Sequence, residues 1–175
     1  MYDNGTYMRK FIMLKPNTVA HLKNKDNLKG YAKIEVRDGK GKMQLSIEAD
    51  KSLETDGIYV GSLFSVIGGQ SIKVDMGSIV FKENGKGSLL WKFNPESVGG
   101  TGISIDKFNT IFVQFYRNNR EETAIPLVGY IWNEDDSINK LIENIGVNKN
   151  DQYKTDVRNR TYELDKKIEK NKCPI

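Results

Sequence analysis

From Gly30 onward, apolar and polar residues alternate with a period of two. Ala32, Ile34 and Val36 alternate with Lys33, Glu35 and Arg37; past Asp38-Gly39-Lys40-Gly41, Met43, Leu45, Ile47 and Ala49 alternate with Gln44, Ser46 and Glu48. That period marks strands with one buried and one wet face, and the glycine-containing interruption predicts a β-hairpin over Tyr31–Ala49. After the turn at Asp56-Gly57, Ile58–Val66 is apolar on both sides: Ile58, Val60, Phe64 and Val66 on one, Tyr59 and Leu63 on the other. Such a segment predicts an interior strand.

Gly68-Gly69 turns the chain into Ile72–Phe81, where Ile72, Val74 and Met76 fit one register and Ile79 and Phe81 the other. A slip of one residue predicts a bulge at Asp75-Met76-Gly77. Asn84-Gly85 is a hairpin signal, with Leu89, Trp91 and Phe93 alternating after it. Asn94–Lys107 has no sustained period and contains Pro95, Gly99, Gly100 and Gly102, so it reads as a long crossover between sheets. Ile111–Tyr116 and Ala124–Trp132 are the last strands, and Pro126 predicts a sheet edge for the second.

This pattern predicts a mainly β fold: an antiparallel sandwich of about seven strands, immunoglobulin- or transthyretin-like, with a C-terminal helical extension. The division expected is a segment over 1–29 with one short strand at Phe11–Leu14, a sandwich over 30–132, and a charged helical tail over 133–175. Ile138, Leu141, Ile142 and Ile145 fall at helical spacing behind Asp135, Asp136 and Ser137, which supply acidic and capping groups. Tyr153, Val157, Leu164 and Ile168 make a thinner stripe in a second helix, a candidate lid or self-association surface.

At 175 residues, 38% hydrophobic and 29% charged, the chain suffices for one packed core. The net charge of +4 is uneven. Residues 1–30 hold six basic against two acidic groups and residues 147–175 eight against five, which leaves the middle at −3. On that average the folded body is not a polyanion-binding surface, and the tail lysines interleave with acids, so nucleic acid is not the favoured partner. Only four apolar residues follow the early charges, and no later run reaches the ~18–20 needed for a spanning helix; the expectation is a cytoplasmic chain without a membrane span.

His21 is the only histidine and Cys173 the only cysteine, so the common Cys/His zinc sets cannot be assembled within the chain, and any Cys–His or Ser–His nucleophile pair would have to use His21, which reads as an ordinary surface imidazole in an Asn/Lys-rich loop. No cofactor, metal or catalytic residue is expected. Val98-Gly99-Gly100-Thr101-Gly102 lacks the Gly-Lys-Ser/Thr ending of a phosphate loop and reads as crossover. Asp50, Glu54 and Asp56 read as a solvated turn. The more useful clue is the aromatic set Tyr59, Tyr116, Tyr130 and Trp132, candidates for a ligand platform. Val128, Tyr130 and Trp132 share one strand face, which requires cover by the tail helix or by a partner.

Gly30-Tyr31-Ala32-Lys33-Ile34-Glu35-Val36, Trp91-Lys92-Phe93-Asn94-Pro95-Glu96-Ser97-Val98-Gly99-Gly100-Thr101-Gly102 and Ile125-Pro126-Leu127-Val128-Gly129-Tyr130 resemble an uncharacterised family of small β-sandwich proteins from clostridia and other spore-forming Firmicutes. The resemblance covers about residues 30–132 and implies a bacterial setting, with spore association by context, but no activity. The functional expectation is a non-enzymatic module acting by protein–protein contact or self-association. The alternative is a carbohydrate-binding module using Tyr130, Trp132 and carboxylates near Asp56.

Overall fold

The computed structural model describes residues 7–17, 28–49, 55–118 and 123–147. These form β1 (Met8–Pro16), β2 (Lys29–Arg37), β3 (Lys40–Glu48), β4 (Gly57–Ile67), β5 (Gln70–Ser78), β6 (Val80–Phe81), β7 (Lys86–Phe93), β8 (Thr110–Arg117), β9 (Thr123–Tyr130) and α1 (Asp136–Val147). All nine strands join edge to edge in one antiparallel sheet, in the order β5-β4-β8-β9-β1-β2-β3-β7-β6.

This order overturns the seven-strand sandwich. β5 and β6 stand at opposite ends of the sheet, yet a single residue, Ile79, separates them in the chain. Consecutive Cα atoms are only about 3.8 Å apart, so the two ends must meet. The sheet therefore curves until it nearly closes into a barrel, with its core on the concave side. Ile34 from β2, Leu45 from β3, Leu63 from β4, Ile111 from β8 and Leu127 from β9 are fully buried there. The interior is narrow: a Cβ on Gly61 of β4 would lie 2.4 Å from the Leu45 methyl of β3.

The local predictions fare better than the global one. β2 and β3 pair from Lys29↔Glu48 to Arg37↔Lys40 through Asp38-Gly39, both at positive φ (52° and 71°), as a two-residue hairpin turn matched to strand twist requires. β4 is an interior strand between β5 and β8. The bulge falls where the slip placed it: Gly61 pairs with Gly77 and Ser62 with Asp75, so Met76 is the extra residue. Ile72–Phe81 is not one strand, however. After the bulge the chain leaves one end of the sheet and Val80-Phe81 joins β7 at the other.

Pairing also places the first and last strands. The N-terminal strand is central, bonded to β2 along Met8–Leu14 and to β9 at Lys15 and Pro16. β9 is likewise central, not an edge. Its register against β8 shifts where Ile125-Pro126 oppose Gln114, and this bulge accommodates a proline with no N–H for the ladder.

The connection between β7 and β8 covers one end of the barrel. Val98, Ile105 and Phe108 are fully buried there. Ile105 N–H donates to Pro95 O at 2.8 Å and Asn109 N–H to Phe64 O at 3.3 Å. On the convex side, Ile138 and Ile142 of α1 pack with Phe64, Phe112, Ile125 and Val128. Val128 and Tyr130, on the face predicted to need cover, are thus covered by the first of the two expected helices, while Trp132 of the same face stays partly exposed. The second stripe, Tyr153–Ile168, lies outside the described residues.

Candidate functional site

At the covered end, Ile131 N–H donates to Asn109 O at 2.7 Å, which fixes the chain leaving β9 against the start of β8. Trp132 follows. Its Nε1–H donates to Phe108 O at 3.0 Å, and 43% of the residue stays exposed. Lys10 reaches across from β1, donating to Ile131 O at 3.2 Å with its Nζ 3.4 Å from the Trp132 ring centroid. That is a cation–π contact, in which the negative face of the indole attracts the ammonium. Desolvation by the neighbouring wall lowers the Lys10 pKa from the ordinary lysine value.

Beside this pair lies an open groove of about 660 Å³ lined by Asn109, Trp132, Asn133, Glu134, Asp135 and Asp136. Asp135 caps α1: its Oδ1 accepts from Ser137 N–H at 2.9 Å and from Ser137 Oγ–H at 2.6 Å, bonds that hold its carboxyl below the usual range. Asn109 donates to Asn133 O at 3.2 Å, while its Oδ1 is buried and accepts no hydrogen bond among the described residues. The groove thus combines an electron-rich ring, three consecutive carboxyl side chains and two amides. Such a set could hold a cation or a hydroxyl-rich ligand, and its lining includes no nucleophile–base pair. Among the described residues no three His, Cys, Asp or Glu side chains are grouped to hold a metal.

The four aromatic candidates are dispersed. Tyr59 lies inside the barrel, 4% exposed, its ring 4.6 Å from that of Phe115 and 5.2 Å from that of Phe81. Tyr116 belongs to a network on the convex side of β4, β5 and β8. Lys73 Nζ donates to Tyr116 Oη at 2.8 Å and to Gln114 Oε1 at 2.9 Å, and pairs with Asp75 at 3.3 Å. Burial raises the Tyr116 pKa, against the opposing pull of Lys73. Tyr130 is a strut whose hydroxyl donates to Asn139 Oδ1 of α1. Burial, and then the carboxylates of Glu134, Asp135 and Asp136, push its pKa up to about 12. Only Trp132 faces the groove.

Asp56 pairs with Arg117 at 3.4 Å, at the far end of β8 from the groove. Seven residue steps along that strand are roughly 23 Å, so Asp56 and Trp132 do not form one site. The glycine segment is a folded turn: Val98 N–H donates to Ile103 O, Gly100 N–H to Ser97 O and Gly102 N–H to Ser97 Oγ. Those N–H groups are engaged within the turn. His21, Asp50, Glu54 and Cys173 lie outside the described residues. Sequence reasoning missed Lys10 and Asn109, because no local pattern ties either to Trp132.

Residues 6–150 match the family model described as Domain of unknown function (DUF7922), and the chain belongs to that family. No curated protein and no solved structure matches it. No helix among the described residues is long and apolar enough to cross a membrane.

Proposed function

We propose that this member of the family is a non-enzymatic binding module acting by protein–protein contact, and that its groove at Trp132 receives a basic segment of the partner. The observation that carries this reading is the Lys10–Trp132 pair beside Glu134, Asp135 and Asp136. A partner's lysine or arginine exchanges with Lys10 on the indole face while the carboxylates neutralise neighbouring cations. A bacterial setting in clostridia or other spore-forming Firmicutes, in a spore or envelope assembly, belongs to the same proposal and draws on the sequence resemblance.

Calorimetric titration with a short Arg/Lys-rich peptide tests the reading. Saturable binding, weakened about tenfold in Trp132→Ala with the fold retained, is the expected result. Undiminished binding in Trp132→Ala overturns it, as does catalytic turnover of a substrate in the groove. A second reading, carbohydrate binding, is favoured by the unused acceptor Asn109 Oδ1 beside an exposed indole. Glycan-array binding lost in Trp132→Ala, with no binding to basic peptides, would select it.

A further inference from the structure

The convex side of β1, β2, β3 and β7 carries no helix among the described residues; α1 packs over β4, β8 and β9. Strand register sets its outward side chains in rows. One row runs Arg9, Glu35, Lys42, Lys92; the next runs Phe11, Lys33, Gln44, Leu90; a third runs Met13, Tyr31, Ser46, Ser88. A fourth, Lys29, Glu48, Lys86, completes the face.

These rows contain six cations and two acids. Glu48 lies 3.8 Å from Lys29 and Glu35 lies 3.5 Å from Lys33, so Arg9, Lys42, Lys86 and Lys92 have no ion pair among the described residues. Lys42 and Lys92 are directly opposed across β3 and β7, an arrangement that costs stability unless an anion lies over it. In the middle of this basic face Phe11 is 61% and Met13 65% exposed, and Phe11 stacks on Tyr31 with centroids 4.8 Å apart and planes at 21°. The mean charge of the middle of the chain conceals this face, because the acids Glu134, Asp135 and Asp136 gather at the groove.

We infer that this open face binds single-stranded nucleic acid, with bases stacking on Phe11 and Tyr31 and phosphates lying along Arg9, Lys42 and Lys92. Charge complementarity selects a polyanion, and the exposed Phe11 ring, backed by half-buried Tyr31, selects one whose π-faces are free; a duplex hides those faces between its base pairs. The surface is separate from the Trp132 groove and stands or falls independently of it.

Fluorescence anisotropy of labelled oligouridylate and oligothymidylate, about 12 nucleotides long, titrated with the full chain tests the inference. The expected result is saturable binding that weakens with salt and is tighter than binding to a duplex of equal length. The double variant Phe11→Ala/Tyr31→Ala should bind about tenfold or more weakly, and Lys42→Glu/Lys92→Glu should abolish binding at moderate salt, both with unchanged far-ultraviolet dichroism. No saturable binding overturns the inference. Equal affinity in the aromatic variant also overturns it, since charge alone then suffices, and so does binding confined to phosphatidylserine vesicles or to an acidic peptide.

Discussion

Lys10 Nζ stands 3.4 Å from the centre of the Trp132 ring, joining β1 to the chain that leaves β9. The ladder between these strands lasts for only two residues, Lys15 and Pro16. The contact therefore serves two ends. It fastens the seam where β1 parts from β9, and it holds an ammonium on the one aromatic face that borders the acidic groove. On the proposed function, a partner's cation takes the place of this ammonium on the indole face.

Tyr130 gives the fold a pH signature. Its folded pKa of about 12 lies above the ~10 of an unfolded tyrosine. Its contribution to stability is whole below pH ~10 and is lost as pH rises towards about 12, because the unfolded chain releases the proton first. Stability measured by urea midpoints across that window should fall more steeply for the native chain than for Tyr130→Phe. Parallel curves would contradict this.

Lys73 is a structural tie. It links β5 to Gln114 and Tyr116 of β8, with its side chain only 13% exposed and that of Asp75 24% exposed. Lys73→Met should cost about 2–3 kcal/mol in urea denaturation, because Asp75 then keeps only the Ser62 hydroxyl and Gln114 loses a charged donor. A change below ~0.5 kcal/mol would show the network to be solvated in practice.

Gly77 is where the chain prepares to cross between sheet ends. Its φ of 132° is disfavoured for any side chain, although a Cβ would meet nothing closer than Leu89 Cδ1 at 3.5 Å. The cost of Gly77→Ala is then one of backbone conformation, about 1–3 kcal/mol, seen as a lowered urea midpoint. A neutral substitution would mean that the bulge readily adopts another conformation.

Local geometry was legible because it is written in adjacent residues. The Asp38-Gly39 turn, the slip at Asp75–Gly77 and the helix after Asp135 each follow from a short pattern. The closure was not. A strand with one buried face fits a sandwich and a barrel equally well, and Ile79 looks like a continuing strand even though it bridges the two ends of the sheet. Pro126 misled for a related reason: a bulge in a central strand accommodates it as well as an edge does. Within the groove, Trp132 was visible as an exposed aromatic. Lys10 and Asn109 reach it only through the pairing of distant segments, and Tyr59 resembled Trp132 in the sequence until its strand face proved to be the concave one.

The proposed exchange of Lys10 on Trp132 is tested most directly by titrating a basic peptide into Lys10→Met alongside the native chain, with urea midpoints confirming that both are folded. Removing the internal competitor should tighten binding several-fold, whereas Trp132→Ala should weaken it about tenfold. Weaker binding in Lys10→Met would contradict the account, since Lys10 would then be part of what holds the partner rather than its stand-in.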